Sequence, residues 1–207
     1  MKGPRADRYT MGARPPKSTR LRGVFLARHG ETDYNATHRF QGLLPVPLNA
    51  TGRAQAEQLA DAAATIDFVE LWASPLTRAL ETALIVGARI GLEPRTDPRL
   101  VETDCGDWTD RFASEIEAID PEGIAAFARA DIDFAFPGGE SLRDQTARVL
   151  AALEDIAQGP RPVLIVFHGM AIRLALSALG HPIASVPNAA LLDCSGAASS
   201  SGRAPDF

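Results

Sequence analysis

The sequence predicts an α/β fold around a mainly parallel sheet. Three observations predict it. Short apolar runs of strand length alternate with longer stretches of helical periodicity. The runs "VFLAR" and "PVLIVF" are nearly continuous in their apolar character rather than alternating, as expected of strands covered on both faces. The helical stretches also carry their own start and stop signals.

In order, the first strand spans residues 23–28 and ends in a glycine-containing turn. The stretch "NATGRAQAEQLADAAATI" places Ala56, Leu59, Ala60 and Ala63 on one helical face, with Asn49 or Thr51 as N-cap. "VELWAS" reads as a second strand. "SPLTRALETALIVGARIG" reads as a helix with Ser74 at N-cap, Pro75 at its first position and Gly91 just past its end. "GIAAFARA" is a weaker helix. "SLRDQTARVLAALEDIAQGP" opens on Ser141 with Asp144 three residues on, and stops at Gly159-Pro160. "PVLIVF" is the most apolar strand, "GMAIRLALSALG" a helix closing on Gly180, and "NAALLD" a last strand.

The chain has 207 residues, 45% hydrophobic and 23% charged, the balance of a soluble globular protein of one domain. No apolar run approaches the roughly 18 residues of a membrane span, so no membrane partner is expected. Cys105 and Cys194 lie far apart, outside any metal-ligand spacing, which speaks against a disulfide scaffold or zinc site and for a reducing cytoplasm. The abundance of alanine and arginine suggests a bacterial chain from a high-GC genome. The net charge of −5 is uneven. Residues 1–22 hold Lys2, Arg5, Arg8, Arg14, Lys17, Arg20 and Arg22 against Asp7 alone, with no apolar segment of a secretory signal. Low hydrophobicity with high charge favours a disordered extension, or a true start at Met11, over a nucleic-acid arm. Residues 196–207 read as a polar tail, which leaves residues 23–195 as the catalytic domain. The sequence leaves the oligomeric state open, a homodimer being one arrangement.

In parallel sheets of this class, ligands gather outside the carboxyl ends of the strands. The first strand delivers Arg28-His29-Gly30 there. The second runs into Ser74-Pro75 and, within the first helical turn, Arg78; "PVLIVF" ends in His168-Gly169. Two arginines and two histidines from three strand ends suit a phosphoryl group. Arginine presents a planar fork of donors to phosphate oxygens, and an imidazole nitrogen can attack the phosphorus. The second histidine would stabilise transferring charge, and amides after His29 and His168 could add donors. A leaving alkoxide needs a proton. Glu102 in "PRLVETDCGDWTD" is the candidate donor, with Asp104, Asp107 and Asp110 as local competitors. His38 and His181 read as structural.

"RHGETDYN" resembles the Arg-His-Gly signature of the histidine phosphatase superfamily, also called phosphoglycerate mutase-like. The resemblance continues in order through "RFQGLLPVPLNATGRAQA", "SPLTRALETA", "RLVETDCGDW", "PGGESLRDQTARV" and "FHGMAIRLAL". It implies a three-layer α/β/α fold, with His29 as phosphorylated nucleophile and Glu102 as proton donor and later base. It further implies that Arg28, Arg78 and His168 hold the phosphoryl group, that Asn35, Gln41, Gly42 and Gly169 line the pocket, and that no metal or organic cofactor takes part. The chain departs from the family pattern at Phe167, Pro45 and Asp110, which touches the substrate-side loops and no pocket residue.

Phosphatases and mutases of this family share the pocket. Residues 111–140 hold Arg111 and Arg129 against Glu115, Glu117, Asp120, Glu122, Asp131, Asp133 and Glu140. An acidic lid would disfavour a doubly phosphorylated substrate, so a phosphatase on a phosphosugar or phosphoglycerate-type ester is expected ahead of a phosphoglycerate mutase. Phe112, Phe127, Phe134, Phe136 and Trp108 read first as core packing and second as an apolar rim. A non-catalytic phosphate-binding regulatory domain would have lost His29 or Glu102; both are present.

Overall fold

In the computed structural model, which describes residues 21–194, five strands form one sheet in the order β3-β2-β4-β1-β5. The strands are β1 (Val24–Arg28), β2 (Glu70–Ala73), β3 (Arg95–Thr96), β4 (Val163–Phe167) and β5 (Leu191–Asp193). β1 pairs parallel with β4, β4 with β2, and β2 with β3; β5 lies antiparallel on β1 at the edge. The expected mainly parallel sheet is therefore present. β3 has only two residues, too few for a sequence pattern to announce it.

Helices cover both faces. All five residues of β4 are buried, and they alternate between two cores. Val163, Ile165 and Phe167 pack with α6 (Leu142–Ile156) and α7 (Gly169–Ala178). Leu164 and Val166 pack with α2 (Ala50–Ala63) and α3 (Thr77–Ile90). That two-sided burial is why "PVLIVF" carries no polar alternation. The N-cap residues Asn49 and Ser141 behave as their types require, accepting from the amides of Gly52 and Asp144. Gly91 closes α3 in the left-handed conformation, φ 73°.

Three expectations shift. α3 begins at Thr77 behind Leu76, not at Ser74. Ser74 instead extends the sheet edge, its amide donating to Val166 O at 3.0 Å, and its hydroxyl is engaged elsewhere. Leu21, assigned to the basic extension, is buried at 4% exposure in the α6–α7 core, so the packed region begins at least two residues earlier than residue 23. The rest of the extension and the polar tail lie outside the described residues. Finally, residues 111–140 form two short helices, α4 (Ala113–Ile119) and α5 (Pro121–Ala128), the first unannounced by its seven residues. With α1 (Asp33–Ala36), a single turn after β1, these complete the α-helices of the described residues; Pro98–Leu100 and Gly106–Trp108 are short 3-10 turns.

The cap packs through a third core of Cys105, Trp108, Ile116, Phe136, Leu142 and Leu174. Phe40, Phe127 and Phe134 join it in edge-to-face and tilted contacts, with ring centroids 5.0–6.4 Å apart. Core packing thus accounts for Trp108, Phe134 and Phe136, whereas Phe112 is exposed beneath Arg39.

The loop after β1 is held tightly against α2. A Cβ on Gly30 would meet Gly52 O, and one on Gly52 would meet Glu31 O, so both positions need glycine for the approach.

Candidate active site

Sheet register brings the nominated residues together. Arg28 is aligned with Phe167, and Ala73 with Val166. His29, His168 and Ser74 therefore leave three adjacent strands at one carboxyl edge. Here a cavity of about 320 Å³ opens, lined among others by Arg28, His29, Asn35, Gln41, Gly42, Arg78, Glu102 and Gly169. Every sequence-nominated site residue except His168 lines it; His168 lies behind, its ring centroid 5.2 Å from that of His29.

Both histidines are buried, His29 at 2% and His168 at 0% exposure. The Nδ1 of His29 sits 2.7 Å from Gly30 O. A carbonyl can only accept, so Nδ1 carries the proton and Nε2 keeps its lone pair. The amide of Gly30 donates to Thr82 Oγ1 at 3.1 Å, and so is taken rather than free for a ligand as the sequence suggested. His168 Nε2 lies 2.8 Å from Ser74 Oγ, while its Nδ1 has no partner among the described residues. Burial, then the charges of Arg78 and Arg28, hold His29 well below its ordinary 6.5; burial and Arg78 do the same to His168. Both rings are neutral at pH 7.

The arginines stay charged. Burial lowers Arg78 to about 10, still well above neutrality, and burial lowers Arg28 as well. Arg78, 1% exposed, is aimed by its donors: Nη1 to Leu44 O at 3.1 Å and Nη2 to Gly42 O at 3.0 Å. Gly42, at φ 49°, turns its carbonyl to meet that guanidinium. Arg28 Nη1 donates to Val186 O at 2.6 Å, and a Cβ on Gly169 would come within 3.0 Å of Arg28 Nε. The Nε of each arginine, and Gln41 Oε1, are buried without a partner among the described residues. Two buried donors and a buried acceptor left open in this way are costly unless a ligand takes them.

Among the described residues, Glu102 is the one carboxylate of the cavity lining. Its Oε1 accepts from Gln145 Nε2 at 2.8 Å and from Thr103 N at 3.0 Å. Thr103 Oγ1, 2.6 Å from Gln145 Oε1, fixes which way the Gln145 amide faces. Asp104 caps Gly106 N, Asp107 is exposed, and Asp110 pairs with Arg39, so none of the competing acids reaches the cavity. His38 is exposed and outside it.

Sequence reasoning missed several participants. Ser74 was read as a cap, although its place directly after β2 matches that of His29 and His168. Gln145 is fully buried on the apolar stripe of α6, and a polar residue among Leu142, Val149 and Ala152 was the available signal. Asn188 Nδ2 donates to His29 O at 3.1 Å; it stands at the head of the expected last strand, but β5 begins only at Leu191 and Asn188 lies in the turn before it. Arg39 and Arg173 also line the cavity. Of residues 111–140 only Phe127 is among the lining residues; none of the segment's acids contributes, and Glu140 is paired with Arg148 at 2.7 Å. Among the described residues, the lining holds four arginines and one carboxylate, with Asp110 pairing Arg39 from outside it.

Comparison with known proteins shows the family. The model of the histidine phosphatase superfamily (branch 1) covers residues 24–198. The chain belongs to this superfamily. Within the histidine phosphatases, it is 37% identical over 179 residues to a glucosyl-3-phosphoglycerate phosphatase of Mycobacterium tuberculosis, covering 81% of this chain and 80% of that one. It is 36% identical over 176 residues to a probable phosphoglycerate mutase of Enterobacter sp., covering 83% of this chain and 81% of the other. Among solved histidine phosphatases, a mycobacterial glucosyl-3-phosphoglycerate phosphatase in complex with VO3 superposes with a TM-score of 0.74 at 34% identity, over 81% of this chain and 90% of that one. Among the described residues, no group of three or more His, Cys, Asp or Glu side chains could hold a metal, and no helix is long and apolar enough to cross a membrane.

Two buried neutral histidines make the fold acid-sensitive. Their folded pKa values are depressed, so below about 6.5 the unfolded chain binds protons that the native state does not. Stability should therefore fall as pH drops through 6.5 toward 5, by up to ~1.4 kcal/mol per pH unit for each ring, and the slope from these two groups fades out by about pH 7.5. Urea unfolding midpoints between pH 5 and 8 test this. A His168→Asn variant should show a shallower acid slope; an unchanged slope would place the effect elsewhere.

Proposed function

We propose that this chain hydrolyses phosphate monoesters of a small metabolite, of phosphosugar or phosphoglycerate type, through a phosphohistidine on His29. One observation carries the reading: His29, with Nδ1 tied to Gly30 O and Nε2 unprotonated, stands beside two buried guanidiniums whose Nε donors have no partner among the described residues. The phosphoryl group would sit on the open donors of Arg28 and Arg78. Nε2 of His29 would attack phosphorus as the bond to the ester oxygen breaks, and Glu102 would protonate the departing alkoxide. With Ser74 donating to His168 Nε2, the Nδ1 proton of His168 would be left to stabilise the transferring charge. Water would then cleave the P–N bond, giving its proton to Glu102 and releasing phosphate and neutral His29. Because Oε1 of Glu102 is occupied by Gln145 and Thr103, Oε2 is the oxygen for these proton transfers.

No metal is needed in this scheme. The cavity lining holds four arginines, one of them paired with Asp110, and Glu102 as its carboxylate among the described residues, a balance that repels a divalent cation and attracts an ester dianion. The free thiols of Cys105 and Cys194 fit a reducing cytoplasm. Hydrolysis rather than mutase chemistry is supported by the glucosyl-3-phosphoglycerate phosphatase relatives, while the similarity to a probable phosphoglycerate mutase keeps that second reading in view.

Following 3-phosphoglycerate by 31P NMR, with and without EDTA, tests the proposal. We expect phosphate release that EDTA leaves unchanged. Movement of the phosphoryl group between carbons faster than release would favour the mutase, and loss of release in EDTA would overturn the metal-free mechanism.

A further inference from the structure

Packing alone gives no reason for a glutamine at position 145. The residue is fully buried on α6 among Leu142, Val149 and Ala152, and a leucine would fill the same space without desolvating an amide. Its two bonds give the reason. Nε2 donates to Glu102 Oε1 at 2.8 Å, and Oε1 accepts from Thr103 Oγ1 at 2.6 Å. An amide oxygen only accepts, so the Thr103 hydroxyl keeps the NH2 end of Gln145 turned to the carboxylate.

The backbone beneath Glu102 is held separately. Arg148, one turn along α6, donates through Nη1 to Val101 O at 2.7 Å and through Nη2 to Glu102 O at 3.0 Å, while Glu140 pairs with its Nε. Gln145 is left to govern the side chain of Glu102.

That side chain has a competing place to go. Glu102 is half-buried and shares the cavity with Arg28 and Arg78. Burial lowers both guanidiniums, and the charge of Glu102 is the largest influence opposing it. Glu102 nevertheless pairs with neither among the described residues, and each arginine keeps a buried Nε without a partner there. Open guanidinium donors and a carboxylate in one cavity attract each other. A pair between them would close the site to phosphate and withdraw the proton donor from the ester oxygen.

We propose that Gln145 is a positioning residue that tethers the Glu102 carboxylate away from Arg28 and Arg78, so that the phosphate site stays open until an ester enters. This deepens the proposed function and rests on it only in taking Arg28 and Arg78 as the donors that hold phosphate. Gln145 lies outside the cavity lining and acts through Glu102. Because the tether takes up Oε1, Oε2 is left for proton transfer.

A double-variant cycle on the binding of inorganic phosphate, read by calorimetry at low salt, tests the tether. Gln145→Leu should weaken phosphate binding about tenfold, since a site filled most of the time by its own carboxylate is rarely available. Replacing the carboxylate as well should undo the loss: Glu102→Gln/Gln145→Leu should bind phosphate within about twofold of Glu102→Gln alone. Unchanged affinity in Gln145→Leu would overturn the tether. So would a loss that persists in the Glu102→Gln background, which would make Gln145 a packing residue. Gln145→Met, of equal length and also without a donor, carries the same cycle if the leucine variant does not fold. A cycle of the expected form without hydrolysis of 3-phosphoglycerate would sink the phosphatase reading and leave the tether standing. Hydrolysis by a protein whose cycle is additive would do the reverse.

Discussion

The His29→Ala variant is expected to lose phosphate release by about 10⁴-fold or more, with the loss in kcat rather than KM. The split follows from the geometry. Arg28 and Arg78 reach the cavity through donors fixed by Val186 O, Leu44 O and Gly42 O, none of which involves the His29 ring. Removing that ring should leave the anion pocket formed while deleting the nitrogen that attacks. Phosphate binding to the variant, measured by calorimetry, should stay within about tenfold of the unaltered protein, since the charged donors dominate it. Activity that survived the substitution would transfer the attack to another group or to water. A loss confined to KM would make His29 a binding residue.

Glu102→Gln should separate substrates by their leaving groups. An alkoxide departs from phosphorus only if it is protonated in the transition state, whereas an activated aryl oxide leaves unaided. We expect kcat/KM for an alkyl ester such as 3-phosphoglycerate to fall by about 10²- to 10⁴-fold, and the phosphorylation step with p-nitrophenyl phosphate by less than about tenfold. Glutamine keeps an acceptor oxygen for Gln145 Nε2 and Thr103 N, so the loop around residue 102 need not reorganise. Pre-steady-state bursts with the aryl ester report this step alone, because the later attack of water also calls on Glu102. Equal losses on both esters in that step would assign the proton to a different group.

Much of this site was legible in the sequence because the sheet sets its geometry. Apolar runs of strand length fixed where β1 and β4 end, and parallel register then forced Arg28-His29 and His168 to emerge side by side. Helix signals at Asn49, Ser141 and Gly91 mark real termini. What remained hidden depends on contacts distant in the chain. Ser74 looks like an N-cap locally, yet the sheet claims its amide and His168 its hydroxyl. Gln145 supports Glu102 from 43 residues away. The direction in which the cap's acids point is set by the packing of α4 and α5 on an aromatic core, which composition does not contain. A count of charges in residues 111–140 suggested an acidic lid, whereas the cavity is lined by arginine.

The central claim is a phosphoryl group carried on His29. The most direct measurement is rapid quenching of the enzyme with a 32P-labelled substrate, followed by denaturation and peptide mapping. The expected label is stable in alkali, released in acid, and confined to the peptide containing His29. An acid-stable label, a label on another residue, or phosphate release with no labelled protein at any quench time would contradict it.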